Sequence, residues 1–154
     1  MKQKILSLIS ACTLFACATP VLALTPCSGL RHDNIYFGPV LCGNGVMSDL
    51  TVRGGPVVMN GTTVDNQTNI AGPLAATDSK FAGLLTIATD ILTLSNSKAA
   101  NITIKSVAKT QSLYLKEGTV ISGDVTFQGD NGTVYLSGNS KVDGKVIGGK
   151  IAPG

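Results

Sequence analysis

From Ser48 onward the chain alternates apolar and polar residues in short runs, as in Leu92 and Leu94 and again in Ile102 and Ile104. A period of two puts the apolar side chains of an extended segment on one face, so these runs predict half-buried strands and not helices. Gly, Asn, Ser and Asp separate the runs and predict tight turns between them. Residues 24–47 read differently. Pro26, Gly29, Gly38, Pro39, Gly43 and Gly45 interrupt them, and His32, Tyr36 and Phe37 fall on no sustained period. An irregular N-terminal cap is expected there.

The strand pattern repeats. Leu113–Val125 lies over Val134–Val146 at a shift of 21 residues, matching Tyr114 with Tyr135, Leu115 with Leu136, Ile121 with Val142, Gly123 with Gly144 and Val125 with Val146. Extended backwards, the frame gives a column Leu50, Ile70, Leu92, Leu113 and Val134 at spacings of 20, 22, 21 and 21. A second column runs Met59, Phe81, Ala100, Ile121 and Val142, with Gly61, Gly83, Ile102, Gly123 and Gly144 two positions later. A unit of this size cannot bury its own apolar face, whereas stacked copies share a continuous core. The expected fold is therefore all-β: a parallel β-helix of about five coils, 20–21 residues each, over residues 48–154. Right-handed coiling follows from the hand of parallel crossovers. A flat β-sandwich is the second arrangement compatible with the strands.

The first residues carry export chemistry. Met1-Lys2-Gln3-Lys4 precedes an apolar run from Ile5 to Ala18, then Thr19-Pro20 and Val21-Leu22-Ala23. This reads as a signal peptide over residues 1–23, cleaved after Ala23 and too short to span a bilayer as a helix. Leu14-Phe15-Ala16-Cys17 and Ile9-Ser10-Ala11-Cys12 also resemble a lipobox, so a lipid on Cys17 would be the one route to a membrane. Past the signal, Cys27 and Cys42 remain and are expected to pair, as two thiols do in an oxidising compartment. The periplasm, the cell surface or the medium is the implied location.

Composition narrows the function. Twelve Lys and Arg stand against 9 Asp and Glu, a formal charge of +3 that falls to +1 if Lys2 and Lys4 leave with the signal, so no nucleic-acid partner is indicated. A lone His and two thiols are too few for a metal centre, and no Gly-rich segment opens a helix to hold a phosphate, so no cofactor is expected. Four triplets, at Asn60, Asn66, Asn101 and Asn131, formally match glycosylation sites.

Catalytic candidates are thin. His32 with Asp33 is the one place for a base and an orienting carboxylate, and Asp124 with Asp143, offset by two residues in adjacent coils, is the one carboxylate pair suited to glycoside chemistry. With 5% aromatic residues and no Trp, there is no platform for stacking sugars beside that pair. A non-enzymatic role is the expectation, with a polysaccharide-active β-helix enzyme as a remote alternative.

The segments Ile121-Ser122-Gly123-Asp124-Val125 and Val142-Asp143-Gly144-Lys145-Val146 resemble the rungs of the bactofilins, polymer-forming β-helical proteins of bacteria. The resemblance covers about residues 48–151 and implies a small non-catalytic β-helix that joins end to end without nucleotide. Bactofilins are typically cytoplasmic, and this chain departs from them in its export signal and its cysteines. The end of a β-helix leaves backbone donors and acceptors unpaired. Val134, Leu136, Val142 and Val146 are therefore the expected self-assembly surface, toward another copy or a cell-envelope component. Tyr114 and Tyr135, outward and stacked, form the candidate lateral patch of an adhesin-like module.

Overall fold

The computed structural model describes residues 24–27 and 34–154, and every regular element in them is a strand. The expected signal segment, Cys12, Cys17, His32 and Asp33 lie outside the described residues. The first strands are β1 (Thr25–Cys27), β2 (Asn34–Phe37), β3 (Val40–Cys42), β4 (Gly45–Met47), β5 (Leu50–Arg53), β6 (Val57–Asn60) and β7 (Thr62–Val64). The middle of the chain forms β8 (Thr68–Ala71), β9 (Leu74–Thr77), β10 (Lys80–Ala88), β11 (Ile91–Ser95), β12 (Lys98–Ile104) and β13 (Gln111–Lys116). The remainder is β14 (Val120–Ile121), β15 (Val125–Phe127), β16 (Gly132–Leu136), β17 (Lys141–Val142), β18 (Val146–Ile147) and β19 (Gly149–Pro153).

All pairings among them are parallel, and they assemble a β-solenoid of about seven turns. One sheet has eight strands in the order β1-β3-β6-β9-β11-β13-β16-β19, and an 11-stranded set forms the other wall. At ~4.8 Å per strand the eight-stranded sheet is roughly 34 Å long, longer than five coils would be. The two extra turns come from the N-terminal segment. Residues 34–47, which lack a legible period, form β2, β3 and β4, each in register with the next turn. Their strands are only three or four residues long, so Gly38, Pro39 and Gly43 fall at the bends between them and mask the alternation.

The interior consists of ladders. Val40, Val57, Leu74, Leu92, Leu113 and Val134 stack rung on rung, and all are at most 2% exposed. Each such side chain contributes about 1.5–3 kcal/mol by leaving water. Thus Leu92, Leu113 and Val134 form the expected column, but Leu50 and Ile70 do not join it. They sit in the opposite wall, where Leu50 pairs with Thr68 and Ile70 with Val52. Likewise the column of Phe81, Ile121 and Val142 continues through Ala99, Val64 and Met47; Met59 belongs to the other sheet, and Ala100 is displaced by one residue. The cause is a changing turn length. Early turns, Val40 to Val57 to Leu74, take 17 residues, whereas Leu92 to Leu113 to Val134 takes 21.

The corners explain where the added residues go. Gly61, Asp78 and Asn96 turn the chain at φ of 66°, 50° and 45°, and each is followed at once by a buried hydroxyl residue, Thr62, Ser79 or Ser97. In the two longer turns the corner takes two left-handed residues, Glu117-Gly118 and Gly138-Asn139, before Thr119 and Ser140. The hydroxyls form a ladder. The backbone N–H groups of Thr62, Ser79, Ser97 and Thr119 donate to the hydroxyl oxygen one turn on, at 3.3, 3.1, 3.2 and 3.1 Å. Each of the next four hydroxyls donates to a carbonyl of its own turn, those of Thr77, Ser95, Lys116 and Ser137. The buried backbone donors at this corner are thereby satisfied where strand pairing stops.

Candidate functional site

Cys27 and Cys42 are bonded, with Cα atoms 4.6 Å apart. They are register neighbours of β1 and β3, so the bond links adjacent rungs within one interior column whose next members are Met59 and Ala76. The N-terminal turn is stapled to the turn that covers it.

Among the described residues, strands β17, β18 and β19 are paired on one side only, by the strands of the preceding turn. Their inward residues continue the interior columns without being covered. Val142 and Val146 are partly buried and Ile151 is 54% exposed, whereas Ile121, Val125 and Val134, one rung earlier, are fully buried. This changes the expected assembly set. Val134 and Leu136 lie beneath β19 and do not reach the end face. Val142 and Val146 do belong to the last turn, and Ile151 completes its inward set, while Ile147, in register with Thr126, points outward. Ile151 was missed because a 21-residue frame places the next rung past the end of the sequence; the true step from Val134 is 17. On the first turns Ile35, Phe37, Leu41 and Val46 are each at least 41% exposed, but they alternate with the inward Tyr36, Val40, Cys42 and Met47 and face sideways out of the walls.

On the lateral face of the eight-stranded sheet, Tyr114 and Tyr135 are register partners and their rings stack at 4.9 Å with an 11° interplanar angle. Lys116 lies 5.8 Å from the Tyr114 ring. The rings lie face to face, so what this rigid pair offers a ligand is its edges and hydroxyl groups.

Asp124 and Asp143 each have a partner of their own. Asp124 accepts the backbone N–H of Lys145 at 2.8 Å, while its own N–H donates to Asn101 at 2.9 Å. Asp143 pairs with Lys141 at 2.9 Å. The Asp124 carboxylate thus ties its turn to the next one, and Asp143 is held by an ion pair within its own segment. Among the described residues no group of three or more His, Cys, Asp or Glu side chains is placed to hold a metal ion, and no helix is long and apolar enough to cross a membrane. The chain matches no protein-family model, no curated protein and no solved structure.

Proposed function

We propose that this protein is an exported, non-catalytic assembly component of the bacterial cell envelope, polymerising end to end through its terminal turns. One observation carries the reading. The last turn leaves its ladder residues Val142, Val146 and Ile151 incompletely covered and pairs its strands on one side only. The first turn offers the complementary edge, parallel strands of the same spacing whose ladder residues Cys27 and Tyr36 are only partly buried. A second copy is the occupant that suits both ends, because its strands continue the ladders in the same direction and satisfy the free edge. The Cys27–Cys42 bond supports export, since such bonds persist in oxidising compartments. The periplasm or the cell surface is the site proposed, in keeping with the signal segment. The bactofilin resemblance points the same way, to growth without nucleotide.

Light scattering and electron microscopy across a concentration series test the reading. Oligomers or filaments that grow with concentration are expected, and Ile151→Lys, which places a charge on the end face, should abolish them. A protein that stays monomeric throughout overturns polymerisation. A second reading, a monomeric adhesin-like module, is favoured by the Tyr114–Tyr135 stack. It predicts ligand binding that is lost in Tyr114→Ala and is indifferent to Ile151→Lys.

A further inference from the structure

One lateral trough combines charge and shape in a way that end-to-end assembly does not use. Lys80 is in register with Lys98, Lys98 with Val120, and Val120 with Lys141, all pointing out of the 11-stranded wall. At ~4.8 Å per rung, Lys98 and Lys141 stand about 9.6 Å apart along the axis, with Lys80 one rung beyond Lys98. Two positions after the first three column residues come Ala82, Ala100 and Ser122, whose short side chains leave an open trough of about 450 Å³ beside the lysines. Its floor is the buried pair Phe81 and Ala99.

The charge in this trough is poorly compensated. The one ion pair among the described residues is Lys141–Asp143, so Lys80 and Lys98 face each other on adjacent rungs without a carboxylate partner. Like charges directly opposite in a sheet destabilise it, and an anion bound between them removes that cost. The whole chain carries only +3, so long-range attraction is weak and a polyanion would be held by this local column.

Spacing selects the ligand class. A peptide laid along the axis repeats its same-face side chains every ~6.6 Å, out of step with rungs at ~4.8 Å. In an extended two-fold chain of pyranose rings the same-face acidic groups recur at every second ring, close to the ~9.6 Å between Lys98 and Lys141. Single-stranded nucleic acid is bound through exposed aromatic rings, and the ring of Phe81 in this trough is 1% exposed. We propose that the trough binds a linear anionic glycan, a uronate-bearing or sulfated chain lying along the solenoid axis with its acidic groups on Lys80, Lys98 and Lys141.

Calorimetric titration of the purified protein with an oligouronate of six sugars, a neutral oligosaccharide of the same length and poly-glutamate tests this. Binding of the oligouronate alone is expected, weakening as salt is raised. K80Q/K98Q should lower that affinity at least about tenfold, while K109Q/K150Q, which removes the same charge outside the trough, leaves it within about twofold. Equal losses in the two double variants, or poly-glutamate binding as tightly as the oligouronate, would overturn the proposal, as would no binding at low salt. Repeating the titration in Ile151→Lys keeps this outcome separate from that of end-to-end assembly.

Discussion

The ring of Phe127 occupies the space that a side chain at position 132 would need: a Cβ on Gly132 would lie 2.1 Å from Phe127 Cγ. One rung later, a Cβ on Gly149 would come within 2.7 Å of the same ring. In the preceding turn the register partners are Ile104 and Gln111, and Gln111 is a buried side chain whose amide donates to the carbonyls of Thr89 and Lys105. The corner is thus filled from one column in one turn and from the other column in the next.

Gly132→Ala is therefore expected to destabilise the protein by roughly 1–3 kcal/mol through overpacking. Phe127→Leu vacates part of that space, so the double variant should lose less than the sum of the two single changes. Urea midpoints of the three variants measure the coupling. Additive losses would show that the two residues do not share this volume.

Thr119 tests the hydroxyl ladder. Its oxygen accepts the buried N–H of Ser97 at 3.2 Å while its hydroxyl donates to the Lys116 carbonyl at 2.6 Å. Thr119→Val keeps the shape but orphans that N–H, which should cost about 1–3 kcal/mol. Thr119→Ser keeps both hydrogen bonds and should cost no more than the ~0.8 kcal/mol of one buried methyl group. Equal losses in the two variants would assign the effect to packing and remove the ladder as a stabilising device.

The architecture was legible wherever the turns have equal length. Tyr114 over Tyr135 and Leu113 over Val134 are read correctly because the turns there all take 21 residues, and the Cys27–Cys42 pairing followed from compartment and thiol number. Leu50 and Ile70 were assigned to the wrong wall because 17- and 18-residue turns drift against a 21-residue frame, and alternation alone cannot tell one wall from another. A finer signal was present. Thr62, Ser79, Ser97, Thr119 and Ser140 each stand two residues before a core member of one column, Val64, Phe81, Ala99, Ile121 and Val142. That pairing of a hydroxyl residue with a core residue marks the corner regardless of turn length. The lysine trough left no local motif, since Lys80, Lys98 and Lys141 become neighbours only through rung register.

Removing the disulfide should act locally. The bond closes a loop of sequence separation 15, worth about 3 kcal/mol on the chain-entropy view. In a solenoid each turn contacts only its neighbours. Cys27→Ser with Cys42→Ser is therefore expected to loosen β1 to β4 first, with faster amide exchange in those strands and little change beyond Leu92. Uniformly faster exchange along the whole chain would show instead that the terminal staple holds the solenoid as one cooperative unit.

Thr68 offers the opposite sign for the same chemical change as Thr119→Val. It stacks between Leu50 and Leu85 in an apolar column, is 1% exposed, and its hydroxyl oxygen has no hydrogen-bond partner. A buried hydroxyl without a partner costs free energy that its neighbours do not return. Thr68→Val replaces it with a methyl group of similar size, so a gain of about 1 kcal/mol is expected, with a melting temperature higher by roughly 2–8 °C. The sign carries the weight of the test, because the two Thr→Val changes differ in whether the hydroxyl is bonded and not in how deeply it is buried. A loss of stability in Thr68→Val would mean that this hydroxyl is satisfied in solution, by water reaching the column between Leu50 and Leu85.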